Sequence, residues 1–300
     1  MTRTPATERF APSPTGRLHL GHAYSALLSH DRIRAEVGRF VLRMEDLDRG
    51  RVRAEYEQGI LDDLAWLGIE WDGAVVRQSE RKALYSAALD RLARLGLIYL
   101  CTCTRRDIAE AVSAPQEGSP MTGPDGIVYP GTCREKGYAL TGDGALRLNI
   151  GRAIDILGGA IAVEGLEWHE SGLGKGAGLG VATGRLDPSV LVRGTGDIVL
   201  RRRDGAAAYH LAVVVDDADQ AITRVSRGED LREAVPVQRL LQALLDLPTP
   251  EDSHHRLIRD DQGKRLAKRH DALSLMQLRN DGVTPREIRE RLGLPRHPSR

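Results

Sequence analysis

The stretch from Arg9 to Asp46 constrains this chain most, because it reads as strand, loop, helix, strand. Arg9-Phe10-Ala11 is a short extended run. Pro12-Ser13-Pro14-Thr15-Gly16 cannot be helical, since each proline fixes its own backbone and disfavours helix in the residue before it. From Gly21 to Glu36 there is no proline, and Ala23, Leu27 and Ile33 recur at near-helical spacing. Gly38 is expected as a left-handed stop. Phe40 to Met44 then reads as a buried strand. Such a unit implies a parallel pair with a right-handed crossover. Ligands of parallel sheets bind beyond the carboxyl ends of the strands, where the Pro12–Gly16 loop and Glu45-Asp46 fall.

The rest of the chain is long enough to bury a substantial core, at 300 residues. A net charge of +1 argues against coating nucleic acid by charge alone, yet leaves room for a local basic face. No apolar run is long enough to span a membrane. No secretory signal follows Met1, so a reducing cytoplasm is expected, with the three cysteines as free thiols or metal ligands. Nothing demands more than a monomer.

Further elements follow from periodicity. Tyr56, Ile60, Leu64 and Leu67 make one helical stripe. Leu84, Leu89, Leu92 and Leu95 make another, with Ser79 as its expected N-cap. Leu97 to Leu100 is a strand that delivers Cys101, and residues 113–126 read as an exposed loop. Residues 172–184 are glycine-rich and read as a mobile loop. Ile198–Arg203 and Ala208–Val215 read as a strand pair around Asp204-Gly205, the second strand covered on both faces. Leu240 to Leu245 closes a helix. Thr284-Pro285-Arg286-Glu287 has a cap, a first-turn proline and a capping-box glutamate.

Four clusters carry candidate chemistry. His19 and His22, with Gly21 between them, sit at a helix entry, where imidazole N–H groups and the helix N-terminus suit an anion such as a nucleotide. Taken alone, two capping histidines are the plainer reading. Lys264-Arg265-Leu266-Ala267-Lys268-Arg269 follows Gly263 and could close over a triphosphate, although such a run is usually a solvated surface. Arg9, Glu45, Tyr209 and Arg227 supply one carboxylate for an ammonium and two guanidinium forks for carboxylates. Cys101 and Cys103 with Cys133 offer three thiolates to zinc, with Tyr129, His169 and water as rival fourth donors; reduced, partly buried thiols are the alternative.

Together these motifs resemble the class I glutamyl-tRNA synthetase family. Arg9 to Gly16 with His19-Leu20-Gly21-His22 looks like that family's "HIGH" signature, and Arg265–Arg269 like its "KMSKS" loop. Ala208 to Asp217 and Val225 to Leu231 resemble the segments that flank its glutamate pocket. The chain stops at Arg300, soon after the basic segment, and is similar to the shortened branch that lacks the anticodon-reading region.

The resemblance implies an α/β fold. A Rossmann-type parallel-sheet core would be split over residues 1–100 and 195–247. A zinc-bearing, acceptor-binding insertion would occupy 101–194, and a short helical segment with the KMSKS-like loop 248–300. It implies a ligase that activates L-glutamate with ATP and magnesium, without tRNA, and passes glutamate to the queuosine base of tRNA(Asp). Arg9, Phe10, Ala11, Pro12, Ser13, Glu45, Tyr209 and Arg227 would contact glutamate. His19, Gly21, His22 and Lys268 would contact ATP, with His19, His22 and Lys268 catalytic. Cys101, Cys103, Tyr129 and Cys133 would hold a structural zinc. Arg265 and Ala267 depart from the signature, which puts loop closure in doubt. Arg201-Arg202-Arg203 and Arg265–Arg269 are candidate RNA contacts, the former equally a solvated strand end.

Overall fold

The computed structural model describes residues 5–113, 122–124, 126–171, 181–259 and 273–296. The chain begins with β1 (Thr7–Phe10), α1 (Leu20–Ala35), β2 (Arg39–Met44), α2 (Ala54–Trp66), β3 (Val76–Arg77) and α3 (Lys82–Arg94). It continues through β4 (Ile98–Cys101), α4 (Arg105–Ser113), β5 (Thr122–Gly123), β6 (Gly126–Ile127) and β7 (Ala145–Leu148). Next come α5 (Ile150–Ile156), α6 (Ala160–Glu164), β8 (Glu167–Ser171), β9 (Val181–Arg185), α7 (Pro188–Val190) and β10 (Val199–Arg201). It closes with α8 (Tyr209–Asp219), β11 (Arg224–Gly228), α9 (Val235–Leu244), β12 (Glu251–His255), α10 (Leu275–Asn280) and α11 (Pro285–Leu292).

A seven-stranded sheet runs in the order β3-β2-β1-β11-β12-β8-β9. All its neighbours are parallel except β8 and β9. The expected β1–α1–β2 unit is present, with Glu8 opposite Phe40. Strand order therefore reverses around β1, and the carboxyl ends of β1, β2 and β11 converge where a parallel sheet takes its ligand. A smaller antiparallel sheet, β10-β7-β4, stands apart from it. Residues 101–194 thus supply β7 to the small sheet and β8 and β9 to the edge of the large one. Residues 248–300 give β12 to the middle of the large sheet before they turn helical.

Two cores hold this arrangement. One joins α1, β2 and α2 to the C-terminal helices through Ala26, Leu27, Leu42, Leu64, Leu278 and Ile288. The other joins α3, the small sheet, α8 and α9 through Leu92, Leu100, Leu148, Val214 and Leu240. Apolar residues buried from all sides exclude water from both groups, which is the main favourable contribution to folding.

Three local expectations change. Ala208–Val215 is not a strand, since Tyr209–Asp219 forms α8. Val213, Val214 and Val215 favour strands, but burial between α3 and α9 overrides that preference. Ser79 does not cap α3: Arg81 takes the cap position, and Ser79 bonds Asp46 instead. On α3 the buried face is Tyr85, Leu89 and Leu92, while Leu84 and Leu95 are exposed. The left-handed residue after α1 is Val37, at φ 56°, rather than Gly38. Gly38 is required for another reason: a Cβ there would lie 2.6 Å from the Ala6 carbonyl oxygen. Elsewhere Thr284 caps α11 in a reciprocal box with Glu287, as its sequence predicts.

Candidate active site

The carboxyl ends of β1, β2 and β11 enclose a cavity of about 400 Å³. Arg9, Phe10, Ala11, Pro12, Ser13, His19, Gly21, His22, Glu45, Tyr209 and Arg227 all line it. Of the residues expected to meet glutamate or ATP, Lys268 lies outside the described residues, as does the whole 264–269 segment.

The histidine pair is built into the helix cap. His19 is the N-cap of α1, and its Nδ1 accepts the Gly21 N–H at 3.1 Å. His22 Nδ1 accepts the His19 N–H at 3.2 Å. Both rings therefore spend Nδ1 as an acceptor, which puts the proton of the neutral form on Nε2. The rings lie 3.9 Å apart, centroid to centroid. A side chain at Gly21 would come within 3.0 Å of the His19 ring, so this glycine is needed by the cap itself. The plain capping reading and the anion reading thus coincide: the bonds that cap the helix also put the ring N–H of both neutral histidines on Nε2, beside a helix N-terminus.

Glu45 is fixed by the loop it faces. Its N–H donates to Pro12 O at 3.0 Å, and its carbonyl accepts from Ser13 Oγ at 2.7 Å. The Pro12–Gly16 loop is thereby stitched to the end of β2. Burial pushes the Glu45 carboxyl above its ordinary value, and Arg43 and then Arg9 oppose that rise.

The two arginines are held by acids that sequence reasoning missed. Arg9 Nε lies 3.1 Å from Asp217 Oδ1, and its Nη1 reaches Ser226 O at 3.4 Å. Arg227 donates to Asp252 Oδ1 at 2.7 Å, Gln238 Oε1 at 2.8 Å and His254 Nε2 at 3.2 Å. Burial and then the Arg227 charge pull His254 down to about 3, so its ring is neutral. It accepts from Arg227 through Nε2 and donates Nδ1–H to Glu170 at 3.0 Å. The available signals were the paired acids Asp216-Asp217 and the run Asp252-Ser253-His254-His255, though neither spacing points at an arginine.

The cysteine cluster lies away from this cavity, at the end of β4. The sulfurs of Cys101, Cys103 and Cys133 all lie within 4.8 Å of one another. Tyr129 is buried beside them, its hydroxyl 3.6 Å from Cys103 Sγ and accepting the Cys133 N–H at 2.8 Å. Burial opposes ionisation of Cys133, but bonds from Tyr129 and the Thr102 backbone bring its thiol down to about 6. Three convergent sulfurs form a donor set that fits a metal ion. Among the described residues no histidine joins the group; His169 is exposed on β8, 3.4 Å from Thr183 Oγ1.

A second cavity, of about 590 Å³, opens between α3 and the small sheet. Among the described candidate RNA contacts, Arg201 to Arg203, Arg201 lines it. Arg202 turns to Asp204 and the Leu47 carbonyl, and Arg203 to the Thr102 carbonyl. Among the described residues no helix is long and apolar enough to cross a membrane.

A split parallel sheet with a histidine-capped helix at its carboxyl edge defines a nucleotide-binding ligase of the class I type. The family model for "tRNA synthetases class I (E and Q), catalytic domain" matches residues 6–122 and 188–296. The chain is 52% identical over 293 residues to the Glutamyl-Q tRNA(Asp) synthetase of Rhodobacter capsulatus, covering 95% of this chain and 99% of that one. It is 41% identical to the protein of that name from Nocardia farcinica, over 97% of this chain and 86% of that one. A solved glutamate tRNA ligase from Elizabethkingia meningosepticum, "in complex with its amino acid", superposes with a TM-score of 0.68 at 25% identity. It covers 88% of this chain, which spans about half, 52%, of that ligase. A methionyl-tRNA synthetase from Mycobacterium tuberculosis, at 12% identity and a TM-score of 0.62, shares the fold. The chain therefore belongs to the class I tRNA synthetases of the E and Q group, in their glutamyl-Q tRNA(Asp) synthetase branch, and is a ligase.

Proposed function

We propose that the protein uses ATP to activate L-glutamate without tRNA and then transfers it to the queuosine base of tRNA(Asp). The observation that carries this reading is the convergence of Arg9, Arg227 and Glu45 on the cavity that the His19–His22 cap also enters. A glutamate has two carboxylates and one ammonium, which is the charge complement of two arginines and one acid. In this reading Glu45 takes the ammonium, Arg9 and Arg227 take the carboxylates, and Tyr209 and the Phe10–Ser13 backbone complete the pocket.

His19 and His22 donate Nε2–H to phosphate oxygens of ATP, helped by the positive end of α1. The glutamate α-carboxylate attacks the α-phosphorus, the bond to the bridging oxygen breaks, and pyrophosphate leaves. Lys268 would stabilise the growing charge. Magnesium would arrive with ATP and offset the charge of the triphosphate. The enzyme's contribution is position and charge stabilisation. A queuosine hydroxyl then attacks the carbonyl of the mixed anhydride, and AMP leaves.

Zinc is the metal that three cysteines and a tyrosine suit best, as a brace for the end of β4 with no part in the chemistry. Residues 1–100 and 195–247, together with β12 and the β8–β9 edge, would form the catalytic core, and the rest of 101–194 would meet the RNA. The protein would work as a monomer in the cytoplasm.

The test is glutamate-dependent ATP–pyrophosphate exchange with no RNA present, followed by transfer to tRNA(Asp) with or without queuosine. Exchange without RNA and transfer only to the queuosine form are expected. Exchange that needs tRNA, with charging that is equal for tRNA(Asp) with and without queuosine, would instead identify a synthetase for the tRNA terminus.

A further inference from the structure

The glutamate reading leaves the buried charge of Arg43 without a task. Arg43, near the end of β2, is wholly inaccessible and does not line the cavity. A guanidinium removed from water is strongly unfavourable unless acids surround it. Here they do. Its Nη1 donates to Asp217 Oδ1 at 2.7 Å and to Gln220 Oε1 at 2.9 Å. Its Nη2 lies 3.5 Å from Glu45 Oε1, and its Nε 3.9 Å from Asp216 Oδ2. Neither Nε nor Nη2 completes a hydrogen bond, so Arg43 acts on those two acids through its field.

The acids are not equivalent. Asp216 belongs to an outer shell, bonded by Gln78, Arg81 and Tyr85. Asp217 Oδ1 is shared between Arg43 and Arg9, so it fixes a cavity-lining arginine. Glu45 lines the cavity directly. Among the described residues, the charged and titratable groups facing Glu45 include Arg43 from β2, Arg9 from β1, and Asp216, Asp217 and Tyr209 from α8. Arg43 is the first of the charges that counter the effect of burial on Glu45.

We propose that Arg43 is the positioning residue of the amino-acid site: it holds Asp217, and through it Arg9, while its charge faces Glu45, so one buried guanidinium sets both the cationic and the anionic side of substrate recognition. This rests on the reading of Arg9 and Glu45 as glutamate contacts. A lysine could restore the charge but not the fork, whose separate arms reach Asp217 and Glu45.

The experiment uses the full-length R43M, R43K, D217N and E45Q variants, with folding checked by circular dichroism and thermal unfolding. KM for glutamate and for ATP is read from RNA-free pyrophosphate exchange, between about pH 6 and about pH 9. R43M is expected to raise the glutamate KM by about tenfold or more while the ATP KM stays within about twofold. Its glutamate KM should begin to climb at a higher pH on acidification, because Glu45 has lost its nearest cation. D217N should also raise the glutamate KM, but move that onset to lower pH, because it removes an anion facing Glu45. R43K should recover part of the loss.

If R43M and D217N move both KM values together, or move the onset in one direction or not at all, the inference is overturned and Arg43 is structural. If R43M does not fold, the same comparison between R43K and D217N decides, with R43K then expected to raise the glutamate KM and leave the onset in place. E45Q separates the two levels. An unchanged glutamate KM in E45Q removes the glutamate reading itself; a raised one, with R43M, R43K and D217N unaffected, removes only the role of Arg43.

Discussion

His19 and His22 close a capping box on each other: the His19 ring accepts from the first turn of α1, and the His22 ring accepts the His19 N–H at 3.2 Å. The residues proposed to meet phosphate are thus the residues that start the helix. The two roles separate by mutation. H19A should lose about 1 kcal/mol of stability, the usual value of an N-cap, and depress RNA-free exchange by about tenfold or more. H19N keeps an acceptor for the cap but loses the Nε2–H at its place. It should recover thermal stability and stay low in exchange. Equal recovery of both would leave His19 as a cap only.

The cysteine cluster predicts a metal content. Protein purified without chelator should carry about one zinc per chain by elemental analysis. C133S should lose it, and chelator-treated wild type should unfold at a lower temperature while glutamate-dependent exchange falls only in step with unfolding. Y129F tests the fourth donor. The phenol accepts the Cys133 N–H and touches Cys103, so its loss should speed the release of zinc to a chelator. Unchanged release would give the fourth position to water.

How far the sequence reached depended on whether a residue's role was local. Thr284 and Glu287 form their capping box because both partners sit within one turn. The β1–α1–β2 unit was legible for the same reason: prolines, helical spacing and an apolar run follow one another along the chain. The helix at Tyr209–Asp219 was not legible locally, because an apolar run rich in valine fits a buried strand as well as a buried helix. The difference matters for the site. Eight residues span roughly 27 Å as a strand but roughly 12 Å as a helix. Only the helix lets Tyr209 line the cavity while Asp217 anchors Arg9. The pairing of Arg9 with Asp217 joins positions 208 residues apart, and no spacing in the sequence encodes it. The basic 264–269 segment was read from its sequence alone and lies outside the described residues.

Arg201 predicts a separation of the two chemical steps. It lines the second cavity, its Nε is buried without an acceptor, and its Nη2 makes one long bond to Leu140 O at 3.4 Å. Arg49 and Lys82 share that wall, beside the acids Asp90 and Asp204. Such a group of cations suits an RNA phosphate. R201Q should leave RNA-free exchange unchanged and raise the KM for tRNA in the transfer step by about three- to tenfold. The salt dependence of that KM should flatten as well. R203Q is the control: Arg203 is already bonded to the Thr102 carbonyl, and its loss should change tRNA KM less.

Asp63 predicts how stability varies with pH. It sits on α2, wholly buried, with no hydrogen-bond partner on either carboxylate oxygen and Arg279 Nη1 3.7 Å away. Burial raises its carboxyl to about 6, against which Arg279 and Arg17 are only partial compensation. The folded state therefore holds this proton more tightly than the unfolded chain. Its favourable contribution is complete below about pH 4, the unfolded value, and is lost as pH rises through about 6. At pH near 8 the buried charge costs about 1–3 kcal/mol. D63N removes the charge at every pH. It should raise the unfolding temperature near pH 8, and the gain should hold until the pH nears about 6 and then shrink as it is lowered towards about 4. Thermal unfolding of both proteins across that range checks it. A gain that did not depend on pH would mean that Asp63 ionises at the same pH in the folded protein as in the unfolded chain, and that the asparagine acts by packing alone.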